Sequence, residues 1–116
     1  SIEIIAIFLF GKSKINLLGV REQSIIEYGS VSKQVVEEMA EGVKNKLNSD
    51  YGISTSGIAG PNGGTNEKPI GTIWIAVSTK NRIVSKKLNL GYNRERNIYV
   101  SSLSVLNLLR LELLKT

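Results

Sequence analysis

Two hydrophobic periods alternate along this chain, and their order predicts the layers of the fold. Residues 2–10 are an apolar run rich in isoleucine and phenylalanine, interrupted only by Glu3. Such a run predicts a strand covered on both faces. Gly11 ends it, and Lys12, Lys14 and Asn16 lead into Leu17-Leu18-Gly19-Val20, where a short helical turn would dock its leucine pair on the core. Ser30 or Ser32 can then cap a helix reaching Leu47, with Val35, Val36, Met39, Ala40, Val43 and Leu47 on one face. Glu37, Glu38, Glu41, Lys44 and Lys46 fall mainly on the other face, where their acid-before-base order suits the helix dipole and implies solvation alone.

After Asn48-Ser49-Asp50 the period changes to two. Residues 51–56 predict a strand, and residues 71–79 another, with Ile73, Ile75 and Val77 on one face and Trp74 and Ala76 on the other. Lys80-Asn81 makes the turn into an antiparallel partner over residues 83–90. That strand sets Val84, Lys86, Leu88 and Leu90 against Ser85, Lys87 and Asn89, so one face should meet solvent. Residues 94–114 return to helical spacing behind Asn93 as cap, with Ile98, Ser102, Val105, Leu106, Leu109 and Leu113 as the buried stripe. Leu103, Leu108, Leu111 and Leu114 widen the apolar surface, which fits a neighbouring helix, a second subunit of a homo-oligomer, or a deeply buried helix in a monomer. The order predicts a single α/β domain over residues 1–116, layered, with a mixed sheet flanked by helices.

Composition narrows the chemistry more than the fold. A hydrophobic fraction of 41% and a charged fraction of 22% are ordinary for a globular domain and exclude disordered, collagen-like and coiled-coil readings. The chain has no cysteine and no histidine, so disulfides, thiolate nucleophiles, the usual metal ligands and the usual general base are all missing. Neither a metal nor a cofactor is therefore expected, and any chemistry falls to Lys, Tyr, Ser, Thr and carboxylates. The net charge of +5 is spread over scattered residues with few aromatics between them, which argues against nucleic acid and suits a small anionic ligand. The apolar start is about half the ~20 residues needed to span a bilayer and carries no signal-peptide pattern, so the expected setting is cytoplasmic, without a membrane.

The densest signal is the loop between the second and third predicted strands, where Gly57, Gly60, Gly63 and Gly64 stand with Pro61 and Pro69. Glycines gather where the backbone takes positive φ or another group comes close, so the stretch is either a site or a long flexible connection. As a site, its exposed N–H groups would cradle a phosphate or an oxyanion, with Ser56 and Thr65 offering hydroxyls at its two ends. Ser56 serves equally as a turn hydroxyl. Arg94, at the start of the last helix, can hold an anion there or pair with Glu95 or Glu112 at the surface.

Residues 56–72 read Ser-Gly-Ile-Ala-Gly-Pro-x-Gly-Gly-Thr-x-x-Lys-Pro-x-Gly-Thr, which resembles at every fixed position the signature of the CinA C-terminal domain family. That family takes in competence/damage-inducible CinA proteins and the nicotinamide-nucleotide amidase PncC. Leu17-Leu18-Gly19-Val20, Gly29-x-Val31-Ser32, Glu38-Met39-Ala40 and Gly91-Tyr92-Asn93-Arg94-Glu95 resemble further family blocks in order and spacing, so the likeness runs from Lys14 to about Leu114. The resemblance implies hydrolysis of the carboxamide of nicotinamide mononucleotide to nicotinate mononucleotide and ammonia without a metal, by a serine nucleophile activated through a lysine and a tyrosine. Lys14 occupies the position of the family's catalytic lysine, while Ser56 and Arg94 match residues placed near the substrate. The block Glu-Ser-Cys-Thr-Gly-Gly, which supplies the nucleophile, has no counterpart in these residues, so the chain reads as a domain truncated at its start. Where the family has Tyr-Ser-Asn-x-x-Lys, it has Leu9-Phe10-Gly11-Lys12-Ser13-Lys14, without the tyrosine. The expectation is a pyridine-nucleotide pocket with impaired amidase activity, against the alternative of a non-catalytic nucleotide-binding or dimerising module.

Overall fold

The computed structural model describes residues 4–7, 20–29, 31–57, 71–91 and 93–115. Among them are four strands, β1 (Ile4–Ile7), β2 (Tyr51–Gly57), β3 (Thr72–Ser78) and β4 (Ile83–Asn89), and three helices, α1 (Glu22–Tyr28), α2 (Lys33–Lys46) and α3 (Arg94–Leu114). The strands form one sheet in the order β1-β2-β3-β4. β1 runs parallel to β2, whereas β2–β3 and β3–β4 are antiparallel, so the sheet is mixed as expected. A parallel pair needs a long crossover, and α1 and α2 lie within it.

β3 is the centre of the domain because both of its faces are covered. Ile73, Ile75 and Val77 join Tyr51, Ile53, Val105 and Leu109 in the core between the sheet and α3. On the opposite face Ala76 meets Val36 and Ala40 of α2, with Trp74 at its edge. The β2 residues on this second face are small, which lets α2 come close. Gly52 lies so near α2 that an added Cβ would collide with Ala40 O and stand 3.0 Å from Lys44 Cβ. Two residues on, buried Ser54 donates from Oγ to Val36 O at 2.6 Å, giving its hydroxyl a partner inside the interface.

α2 begins where the sequence places a cap: Ser32 Oγ accepts from Val35 N–H at 3.3 Å, and buried Val35, Val36, Met39, Ala40 and Val43 form its inner face. Leu47 is half exposed, outside that face. The charged side of α2 does more than solvate. Glu38 accepts from Arg21 N–H at 2.8 Å and from Ser24 Oγ at 2.6 Å, which ties α1 to α2. Glu37 accepts from Ser85 Oγ on β4, and Lys44 Nζ donates to Thr79 O at 2.9 Å. The face of β4 carrying Ser85 and Lys87 is thus partly covered by α2 instead of facing solvent throughout. α1 has no counterpart in the sequence reading; Val20, where a helical turn was expected, is instead a buried non-helical residue packed on Val35, Met39 and Val43.

α3 spans the expected residues, and Asn93 Oδ1 caps it by accepting from Arg96 N–H at 2.9 Å. Its inner face differs from the predicted stripe. Asn97, Ser101, Val105, Leu109 and Glu112 are buried, whereas Ile98 and Leu106 are exposed. Two polar anchors fix this rotation: Asn97 Nδ2 donates to Gly91 O at 2.7 Å at one end, and Arg82 holds Glu112 at the other through contacts of 2.8 and 2.7 Å. Leu103, Leu111 and Leu114 are exposed as well, so a helix buried all round in a monomer does not hold among the described residues. Among those residues no helix is long and apolar enough to cross a membrane.

Candidate functional site

The two described ends of the signature meet at one edge of the sheet. Ser56 and Gly57 close β2, Gly71 and Thr72 open β3, and the register sets Gly57 opposite Ile73 and Ser56 opposite Trp74. Residues 58–70, with Gly60, Gly63, Gly64 and Thr65, lie outside the described residues, as does Lys14. Gly57 is extended strand. What demands glycine there is space, since a Cβ would stand 2.7 Å from Ile73 Cγ1. Ser56 is buried on the face covered by α2, in one cross-strand row with Trp74 and Lys87.

Gly71 is the joint between this edge and α3. Its φ is +90°, a region that L side chains rarely adopt, and its carbonyl accepts from Leu90 N–H at 2.8 Å. Leu90 leads into Gly91, whose carbonyl is held by Asn97, and then into Asn93 and Arg94 at the start of α3. The structure therefore brings the beginning of α3 to the same edge as Ser56 and Gly57. The Arg94 side chain lies outside the described residues. The surface partner considered for it, Glu112, is engaged at the far end of α3 by Arg82 and, at 3.0 Å, by Lys115. The hydrogen bond from Arg82 holds the Glu112 carboxyl at about 2; burial pushes it up, and Lys115 adds to the lowering.

α2 runs antiparallel to β2, since Gly52 lies beside Ala40 and Lys44 while Ser54 reaches Val36. Its N-terminus therefore arrives at the same edge. Two helix starts thus reach this end of the sheet, that of α2 on one face and that of α3 on the other, each carrying partial positive charge. Between α2 and the sheet lies a cleft of about 490 Å³, lined by Tyr28, Ser32, Lys33, Thr72, Trp74 and Lys87 among others. Its volume falls in the range that holds small organic ligands. No group of His, Cys, Asp or Glu among the described residues could hold a metal ion.

The sequence names Ser56, on the same face of the sheet, as a site residue, but none of the residues that line this cleft. One of them was within its reach: a hairpin centred on Lys80-Asn81 already sets Trp74 opposite Lys87, as the register bears out. Lys33 and Tyr28 carry no such signal, because only the crossover brings them over β3 and β4.

Residues 7–113 match the family model described as the CinA C-terminal domain. The chain is 46% identical over 102 residues to a CinA-like protein of Cytophaga hutchinsonii, covering 88% of this chain and 24% of that one. It is 47% identical over 104 residues to a CinA-like protein of Shewanella sediminis, covering 89% and 24%. It thus spans about a quarter of the length of the curated relatives it matches. Among solved structures, competence damage-inducible protein A of Klebsiella pneumoniae superposes with a TM-score of 0.82 at 29% identity, over 88% of this chain and 63% of that one. The competence/damage-inducible protein of Agrobacterium tumefaciens gives 0.80 at 26%, over 89% and 64%.

Proposed function

The chain belongs to the CinA C-terminal domain family, and on that premise we propose that it is part of an amidohydrolase domain acting on the carboxamide of nicotinamide mononucleotide. The observation that carries the reading is the unbroken signature from Ser56 to Thr72, whose described ends stand side by side at the end of the sheet that the starts of α2 and α3 reach from its two faces. Partial positive charge from two helix ends suits an anionic nucleotide. Ser56 and Arg94 hold the substrate in this reading, together with the backbone of Gly57, Gly60, Gly63 and Gly64 and the hydroxyl of Thr65.

In the intact reaction a serine oxygen attacks the carboxamide carbon and the Lys14 amine takes its proton. The C–N bond then breaks, with the proton passing to the departing ammonia, and water cleaves the acyl ester to release nicotinate mononucleotide. A lysine can act as base at neutral pH when burial lowers its pKa. The residues in hand supply the lysine but neither the serine nor the tyrosine of this scheme. These 116 residues therefore bind the pyridine nucleotide with little or no turnover. Calorimetric titration of nicotinamide mononucleotide and its acid product, run beside an ammonia assay, tests both parts. Binding without turnover is the expected result. Ammonia release at the rate of an intact amidase overturns the impaired-catalyst reading, and absence of binding by either nucleotide overturns the substrate assignment.

A further inference from the structure

We infer that the outer face of α3 is the contact through which two copies of this chain pair, the two helices lying antiparallel about a twofold axis between Leu103 and Leu106. The inference rests on the surface of α3 and is independent of the amidase reading. The inner face of α3 packs on Ile73, Ile75 and Val77 through Val105 and Leu109. Its outer face leaves Tyr99 66%, Leu103 50%, Leu106 52% and Leu114 70% exposed. Together these side chains open roughly 500 Å² of mainly apolar surface, a size at which such patches are commonly interaction sites. Two copies would cover about 1,000 Å² before any flanking residue is added, which is where specific interfaces begin.

The occupant is a second copy because the stripe is complementary to itself. Tyr99, Leu103, Leu106 and Arg110 follow one another at spacings of four, three and four, so the intervals are the same in both directions. Spacings of three and four keep a stripe on one side of a helix, as a seam between two helices requires. The twofold axis sets Leu103 of one copy against Leu106 of the other, and Tyr99 against Arg110. Arg110 is exposed and its guanidinium is held by Asn107 Oδ1 at 3.1 and 3.0 Å, which leaves its planar face for the tyrosine ring. Glu95, one turn before Tyr99, is exposed and has no cationic partner among the described residues. In the antiparallel pair it comes within reach of the same guanidinium, and the opposed helix dipoles add to the attraction. The hydroxyls beside the stripe demand nothing of a partner, since Ser102 and Ser104 donate to Ile98 O and Val100 O at 2.8 and 2.7 Å. An arginine within the stripe does not suit a lipid surface, and a foreign protein calls for no symmetry about the middle of the helix. The cleft lined by Trp74 and Lys87 lies on the other face of the sheet, beside α2, and stays open in the pair.

Sedimentation velocity of the full 116-residue chain reads the pairing directly. A reversible dimer with a Kd of about 1–50 μM is expected, the weak end for an interface of this area. L103E/L106E should weaken pairing by about 100-fold or more while keeping the wild-type circular dichroism spectrum, because both sites are half exposed in the single chain. R110E should weaken it by about 10- to 100-fold, because the new carboxylate meets Glu95 of the second copy. Adding the opposite change, as E95R/R110E, should recover most of that loss. Only an antiparallel pair allows this recovery, since in a parallel one positions 95 and 110 stand about 22 Å apart along the helix. A chain that sediments as a monomer at about 500 μM, ten times the weakest expected Kd, overturns the inference. So does a dimer undisturbed by L103E/L106E, or a failure of E95R to recover any of the R110E loss.

Discussion

Replacing Gly71 by alanine tests how tightly the exit of the signature is joined to the start of α3. Gly71 has φ +90°, and a Cβ there would collide with Leu90 O and stand 2.6 Å from Leu90 C and 2.7 Å from Gly91 O. Forcing an L side chain into positive φ costs about 1–2 kcal/mol. The clash is with backbone and not with a flexible side-chain tip, so Leu90 and Gly91 must move away from β3. That movement lengthens the 2.8 Å hydrogen bond from Leu90 N–H to Gly71 O, a loss of about 1 kcal/mol. It also pulls on Gly91 O, which anchors Asn97. Together these give a destabilisation of about 2–4 kcal/mol, or a fall in Tm of about 8–16 °C for a domain of this size. Thermal and urea denaturation followed by circular dichroism measure it. Gly91→Ala is the control: a Cβ there has nothing within 4 Å, so the change should stay within ~0.5 kcal/mol. A loss below about 1 kcal/mol for Gly71→Ala, with the control behaving as stated, would refute the claim that this joint is rigid.

Three further outcomes follow from the same geometry. The folded-state pKa of Glu112, about 2, lies below its ordinary value of 4.5, so as pH falls the unfolded chain takes up the proton first. The stability from this group is complete above pH 4.5 and lost as pH falls towards 2; with Arg82 half exposed, it should amount to about 1–3 kcal/mol. Urea midpoints for wild type and Glu112→Gln should differ at pH 7 and converge near pH 2. Gly52→Ala, which drives a methyl into Ala40 O, should cost about 2–4 kcal/mol by chemical denaturation and separate α2 from β2. Ser54→Ala removes the hydroxyl donated to Val36 O and should cost about 1 kcal/mol in the same assay, since that carbonyl keeps its place in the helix.

Local chemistry made much of the frame legible. β3 declared itself as a strand because Trp74 and Ala76 alternate with Ile73, Ile75 and Val77, and its antiparallel pairing with β4 needs only a tight turn, which Lys80-Asn81 supplies with its register. The starts of α2 and α3 were visible in Ser32 and Asn93 because a cap acts within three residues of itself. α1 was not visible: its turn of helix has Ile25 packed and Ile26 exposed, and it is held by Glu38 from another element. The rotation of α3 escaped for the opposite reason. With leucines on nearly every side, the apolar pattern favoured the stripe through Ile98 and Leu106 only weakly, and two distant polar anchors, Gly91 O and Arg82, turn another face inward.

The candidate site divides along the same line. By itself the sequence determined the signature from Ser56 to Thr72 and with it the family, because a fixed order of residue types is complete within one short stretch of chain. Only the tertiary structure decided that Lys33 of α2 and Lys87 of β4, distant in sequence, share a cleft with Trp74 and Thr72. The physical reason is the crossover between β1 and β2. It lays α2 antiparallel to β2 and brings its N-terminus to the edge where the signature begins and ends, a placement set by packing across the sheet and by no run of neighbouring residues.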